Sequence, residues 1–156
     1  MKILVLSDSH GNLSNMIRAV RLTEPRMILH LGDCWRDGEK LHEMFPEIAF
    51  EQVPGNCDFR SSEPTEKLLF PEDKKVLLCH GHTYDVKHTL LSAGQAAREQ
   101  HLDLFLFGHT HKAFRDLRDG TLFLNPGSIG DYLDPTYGIV RIESNTVNGE
   151  ILRLNR

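Results

Sequence analysis

The feature that most restricts this chain is a recurring one: short apolar runs that stop at a polar side chain able to bind metal. "KILVLS" runs into Asp8 and His10, "MILHLG" into Asp33, "FEQVPG" into Asn56, "KVLLC" into His80, and "LFLFG" into His109 and His111. Apolar runs this short have the length of buried strands and are far from spanning a bilayer. In open α/β sheets, chain reversals at the carboxyl ends of strands bring several loops together. Side chains at the ends of successive strands can therefore meet on one rim.

The segments between the runs fit that picture. Leu13, Met16, Ile17 and Val20 recur at i, i+3, i+4 and i+7, one face of a helix, and a shorter helix is predicted near Gly38–Met44. The resulting β-α-β-α-β order implies parallel strands with right-handed crossovers. Further on, "KLLF" and "KVLLC" flank a polar, proline-bearing turn and read as a hairpin. A helix is predicted at about Lys87–Gln100, with Leu90, Leu91, Gly94 and Ala97 on one face, followed by the strand "DLFLF". Asp119-Gly120 and Asn148-Gly149 mark two further hairpin turns. A parallel first half followed by an antiparallel second half suits an α/β sandwich of two sheets with helices outside. No linker, repeat or low-complexity segment interrupts the 156 residues, so a single domain over 1–156 is expected.

Charge and cysteine usage exclude several functions. A net charge of −4 argues against general nucleic-acid binding, which needs a basic field. A phosphate-bearing substrate stays compatible if bound metal supplies positive charge. "MKILVLSDSH" meets Asp8 too soon for a secretory signal and reads as the first strand, with no membrane association expected. Cys34, Cys57 and Cys79 are odd in number and lack CxxC spacing, which points to free thiols in a reducing cytoplasm. Nine histidines are many for this length, and His10, His80, His82, His109 and His111 crowd into three short segments.

Imidazole nitrogen with carboxylate oxygen, and no thiolate cluster, suits Zn, Fe, Mn or Ni. Asp8, His10, Asp33, Asn56, His80, His109 and His111 are too many ligands for one four-coordinate ion. They suit two ions sharing a bridging carboxylate, about 3.5–4 Å apart, able to hold a hydroxide and clamp a phosphate in line. His109-x-His111 at a strand end can send its two rings to different ions. Taken singly, each residue reads equally as a strand-end cap or turn residue. Gly11, Gly32, Gly55, Gly81 and Gly108 each border one of them, as expected where the backbone turns sharply or approaches a ligand.

The order "DSHGN", "GDCW", "GNCD", "HGH", "GHTH" resembles the calcineurin-like metallophosphoesterases over nearly the whole chain. The length and the later "NPGS" at Asn125–Ser128 look most like the small YfcE-type phosphodiesterase branch. The resemblance implies a four-layer α-β-β-α sandwich of two mixed sheets. It implies two divalent metal ions, with manganese first among Mn, Fe, Ni, Zn and Mg. One ion would be held by Asp8, His10 and His111, the other by Asn56, His80 and His109, with Asp33 bridging. The implied chemistry is attack on a small phosphate ester, a diester foremost, by a metal-bridging hydroxide. Asp33, Asn56 and His10 would act through the metal centre. Many relatives carry histidine after the asparagine, where it protonates the leaving group, and here that place is Cys57. A neutral thiol is a poorer donor near pH 7, so esters with good leaving groups are expected to react best. Two alternatives remain: a phosphomonoesterase or nucleotide phosphatase, and a catalytically weak protein-binding module like the retromer scaffold. Small members of the family are often homo-oligomers.

Other residues carry paired readings. His82 is a substrate-facing or supporting group, or a plain loop residue, and Asp58 orients a ligand or closes an Asx turn. Arg36 and Arg60 are close enough in sequence to reach a phosphate, or are solvated. Ser128 bonds near the site or shapes a turn. His30 reads as a core histidine, and His42, His88 and His101 as exposed. The cysteines read as small buried residues at strand ends rather than ligands. Asp131–Tyr137 reads as a loop on the rim or at an oligomer contact.

Overall fold

The computed structural model describes residues 1–59 and 62–155, so Arg60 lies outside the described residues. The first half alternates strand and helix: β1 (Lys2–Leu6), α1 (Leu13–Thr23), β2 (Met27–His30), α2 (Trp35–Met44) and β3 (Ala49–Gln52). Helix α1 starts where the Asn12 side chain accepts the Asn15 N–H at 3.1 Å, satisfying one donor of the open first turn. It ends at Glu24 in the left-handed conformation, followed by Pro25. Met16, Ala19 and Val20 form its buried face. Helix α2 begins three residues before the predicted Gly38, because Asp58 from another loop caps its first N–H groups, a tertiary contact with no local trace.

The second half holds β4 (Glu66–Leu69), β5 (Val76–Cys79), α3 (Leu91–Gln100), β6 (Leu104–Leu106), β7 (Phe114–Arg118), β8 (Thr121–Asn125), β9 (Thr136–Glu143) and β10 (Thr146–Arg153). Helix α3 is shorter than predicted, since a 3₁₀ turn at His82–Tyr84 and left-handed Asp85 precede it. It packs through Ala93 and Ala97, with Leu90 partly buried and Leu91 exposed.

Two five-stranded sheets result, ordered β10-β9-β1-β2-β3 and β4-β5-β6-β8-β7. Strand β1 pairs parallel with β2 and antiparallel with β9; β5, β6 and β8 run parallel while β4 and β7 are antiparallel edges. Both sheets are therefore mixed, as the resemblance implies; the first half is parallel as expected, and the expectation of an antiparallel second half is corrected, since β5, β6 and β8 run parallel. Strand β9 returns to the first sheet, a long-range pairing that local pattern does not carry.

Three apolar layers define the sandwich. Ile3, Val5, Leu29, Leu78, Leu106 and Leu124 fill the space between the sheets. Leu4, Leu6 and Ile28 face outward under α1 and α2, and Leu77, Phe105 and Phe123 face outward under α3. Central strands buried on both faces read as unbroken apolar runs, which explains "ILVL" and "LFLF". No helix among the described residues is long and apolar enough to cross a membrane.

The last hairpin turns elsewhere than predicted. Ser144 and Asn145, at φ 48° and 64°, join β9 to β10, while Asn148-Gly149 lies inside β10. Gly149 is needed for packing instead: a Cβ there would sit 2.7 Å from Leu124 Cδ1. A β-branched residue is disfavoured at positive φ, so Asn145→Val should lower the unfolding free energy by about 1–2 kcal/mol. Asn148→Val, on an exposed strand position, should change it by less than about 0.5 kcal/mol in the same urea titration. The reverse ranking would return the turn to Asn148.

Candidate metal centre

At the carboxyl ends of β1, β2, β5 and β6 the loops carry Asp8 and His10, Asp33, His80, and His109 and His111. Ligand atoms of Asp8, His10, Asp33 and His111 all lie within 4.8 Å of one another. His10 Nε2 and His111 Nε2 stand 3.3 Å apart, and His111 Nε2 is 3.1 Å from Asp8 Oδ1. On the other side His80 Nε2 lies 3.4 Å from Asp33 Oδ2 and 3.8 Å from Asp8 Oδ1. The His109 ring packs edge-on to His80 with centroids 5.0 Å apart. Asn56 is exposed, and its amide Nδ2–H lies 3.7 Å from Cys57 Sγ.

Each buried ligand has one atom tied and one bare. Asp8 Oδ2 accepts the Ser7 hydroxyl at 2.6 Å and the His109 N–H at 3.1 Å, leaving Oδ1 with no hydrogen bond and the His111 ring nitrogen nearest it. His80 Nδ1 is 2.7 Å from the Leu31 carbonyl, which can only accept, so Nδ1 carries a proton and in the neutral ring the lone pair is on Nε2. That Nε2 is also buried and without a partner. Asp33 Oδ1 accepts the Cys57 N–H at 3.0 Å, and Oδ2 turns toward His80 and His10. A buried polar atom left unpaired costs about 1–3 kcal/mol, and two such atoms aimed into one space form a site for a cation. The residues present fit a divalent metal.

The backbone is bent to present them. Asp8, His10, Asp33, His109 and His111 all have φ between 44° and 69°. Non-glycine residues rarely enter this left-handed region, and such strain gathers at functional sites. Close approach is the second device. A Cβ at Gly55 would lie 2.0 Å from Asp33 Oδ1, and one at Gly108 2.0 Å from Ser7 Oγ.

Supporting residues hold the loops. The Asp58 carboxylate accepts N–H bonds from Asp33, Cys34, Trp35 and Gly55, at 2.8 to 3.2 Å, and so joins the two loops that carry Asp33 and Asn56. Ser128 Oγ donates to the Asp8 carbonyl at 2.8 Å. Sequence reasoning missed Ser7, Asp37 and Asn125. Asp37 accepts the Ser9 hydroxyl at 2.7 Å and the Gly11 N–H at 2.8 Å; Asn125 Nδ2 donates to the Gly108 carbonyl and to Thr110 Oγ1. Adjacency to Asp8 is a signal for Ser7, whereas Asp37 looks like any acidic helix residue.

His82 has a buried Nδ1 without a partner, its ring 5.6 Å from that of His80. His30 is fully buried as expected, with Nε2 3.3 Å from Ser9 Oγ but Nδ1 unpartnered. His42, His88 and His101 are exposed. Of the cysteines only Cys79 is fully buried; Cys34 is half-buried and Cys57 exposed at the site's mouth, correcting the uniform expectation. Arg36 is solvent-exposed. Of the predicted Asp131–Tyr137 loop, 131–135 is loop and places the Asp131 carboxylate in the field of His111, while Thr136 and Tyr137 already belong to β9 and are buried.

Residues 1–145 match the family model described as the calcineurin-like phosphoesterase superfamily domain. The chain belongs to that superfamily. The probable metallophosphoesterase YsnB of Bacillus subtilis is 35% identical over 132 residues, covering 83% of this chain and 75% of its own length. The phosphodiesterase YfcE of Escherichia coli is 27% identical over 154 residues, covering 83% and 79%, in keeping with the YfcE-type branch. A Streptococcus pneumoniae protein described as a predicted phosphoesterase superposes with a TM-score of 0.80 at 28% identity, covering 97% of this chain and 88% of its own. Vps29 of Entamoeba histolytica, at 22% identity and a TM-score of 0.75 over 99% of this chain and 100% of its own, shares the fold.

The metallophosphoesterase rim has a distinctive set of proton affinities. Burial opposes the Asp33 charge, but the adjacent His80 ring and the Cys57 donors outweigh it and hold the carboxyl well below the usual range. Burial likewise opposes charge on His80, and the neighbouring Asp33 and Asp8 carboxylates raise its pKa. Burial lowers His30 and His82, and burial with the His80 and Lys87 charges lowers His109 to about 4. Burial and the nearby Asp33 carboxylate push the Cys57 thiol up. His30, His82 and His109 bind protons less readily folded than unfolded. Their stabilisation is complete above the unfolded histidine value of about 6.5 and shrinks as pH falls through it. Asp33 withdraws its share only below about pH 4, and His80 loses its own only above about pH 6.5. The urea midpoint of metal-free protein should therefore peak near neutrality and decline between about pH 6.5 and 4. A midpoint rising on acidification across that window would contradict these assignments.

Proposed function

We propose that the protein is a metal-dependent phosphodiesterase that holds two divalent cations at this rim. The observation that carries the reading is the pair of bare, buried ligand atoms, Asp8 Oδ1 and His80 Nε2, on side chains whose other atoms are already tied. Asp8, His10 and His111 would hold one ion, and His80, His109 and Asn56 the other. Asp33 would be shared, since its Oδ2 is 3.7 Å from His10 Nε2 and 3.4 Å from His80 Nε2. Asn56 would join by turning its amide away from Cys57. Nitrogen and carboxylate donors suit Mn, Fe, Ni and Zn, and manganese is the first ion to try. Such cations, when bound, supply Lewis acidity: they neutralise phosphoryl oxygens and acidify water.

The chain's own groups do the rest. Ser7, the His109 N–H, the Leu31 carbonyl and the Cys57 N–H fix the orientation of Asp8, His80 and Asp33, so these three ligands need no ordering during the reaction. The His82 ring lies 5.6 Å from that of His80, and its buried, unpartnered Nδ1 would reach a substrate oxygen by a turn of the ring. Cys57 sits exposed next to Asn56, and its neutral thiol is a weak proton donor. Esters whose leaving group needs no proton are therefore favoured.

Chelator-stripped protein should not hydrolyse bis(4-nitrophenyl) phosphate, and adding Mn²⁺ should restore turnover. His111→Ala and Asp33→Asn should each lower kcat/KM by at least about 100-fold and weaken Mn²⁺ binding in calorimetry. Full turnover and full metal content in both variants would sink the site assignment. Gly55→Ala, which drives a methyl group against Asp33, should weaken Mn²⁺ affinity by about 10- to 100-fold with the ligand set intact.

A further inference from the structure

Beside the rim lies an open cleft of about 870 Å³ whose lining includes His10, Trp35, Arg36, Glu39, Phe59 and Glu63. This volume is in the range of small-molecule sites, and His10 makes the cleft continuous with the metal centre. Two aromatic rings face it. Phe59 is 91% exposed, an unusual position for so large an apolar side chain. Trp35 is half-buried, and its indole Nε1 donates to Glu39 Oε1 at 3.1 Å, which fixes the ring on the first turn of α2. Neither ring packs against another aromatic ring among the described residues.

The cleft is registered to the site by one group. Asp58 accepts the N–H of Asp33 at 3.0 Å and the N–H of Trp35 at 2.8 Å, and Phe59 follows it in sequence. Asp58 thus holds the backbone of Trp35 beside that of Asp33, with Phe59 as its own chain neighbour. The lining carries both signs of charge, and its acids are engaged: Glu63 pairs with Lys67 at 3.3 Å, Asp58 accepts four backbone N–H groups, and Glu39 accepts the Trp35 indole. A flat uncharged ring entering the cleft meets two aromatic side chains. Stacking on such faces is tolerant of base identity because every base has a π-face.

We propose that Trp35 and Phe59 form a stacking site for the nucleobase of a phosphodiester substrate. The substrate class is then a nucleoside phosphodiester rather than an aliphatic diester. This rests on the phosphodiesterase reading above, but its test does not require turnover.

Trp35 is the chain's only tryptophan, so its fluorescence reports on the cleft alone. Thymidine 5′-monophosphate should quench it in a saturable titration, and ribose 5-phosphate, which lacks the base, should not. With Mn²⁺-loaded enzyme, thymidine 5′-(4-nitrophenyl phosphate) and methyl 4-nitrophenyl phosphate share one leaving group and differ in the base. KM should be about tenfold lower for the thymidine ester, and Phe59→Ala should abolish that advantage while leaving the methyl ester unchanged. Equal KM values with no quenching would overturn the proposal, and hydrolysis of the methyl ester would still uphold the phosphodiesterase reading. Quenching by the nucleotide with neither ester hydrolysed would keep the stacking site and remove the phosphodiesterase reading.

Discussion

A carboxylate taken fully out of water must be compensated, and Asp8 is fully buried. Its compensation is divided: the Ser7 hydroxyl and the His109 N–H hold one oxygen, and the other faces the space between His10, His80 and His111. Because His109 belongs to the second sheet and Asp8 to the first, that single carboxylate sews the two sheets together at their carboxyl ends. The apolar filling between the sheets sets their separation, and Asp8 sets their relative position along the rim. A displacement of either sheet would break the His109 bond and leave the buried carboxylate with the Ser7 hydroxyl alone.

The supporting network follows the same logic at greater range. Asp58 ties the loop after β2 to the loop after β3, Asp37 ties α2 to the loop after β1, and Asn125 ties β8 to the loop after β6. Each is an acceptor or donor from one element satisfying backbone groups of another. The left-handed backbone of Asp8, His10, Asp33, His109 and His111 is then held by contacts outside those residues, as such conformations require.

Much of this was legible in the sequence because the ligands sit where apolar runs end, and a strand end is a local signal. The metallophosphoesterase motif order put Asp8, His10, Asp33, His80, His109 and His111 on one rim, and the structure brings them together. Asn56 was placed beside Asp33, but its amide points to Cys57, and a terminal rotation is invisible at that level. Pairing was less legible. The return of β9 to β1 links residues more than a hundred positions apart, and nothing local encodes it. The Asn148-Gly149 pair carries a strong turn signal, yet the close pass of Leu124 makes Gly149 a packing residue, and Ser144-Asn145 turns the chain instead. Exposure of Cys57 and Phe59 was illegible too, because it depends on how far their loop stands from α2.

The missing methyl groups at Gly55 and Gly108 have a consequence for anyone redesigning this protein. Adding one carbon at either position collides with a ligand or its support, so the rim offers few gentle edits and most changes there break the site outright. The aromatic pair is different: Trp35 and Phe59 border the centre without holding it. Selectivity can then be re-engineered on α2 and the Phe59 loop as a replaceable module, while the reactive chemistry is left as a fixed platform.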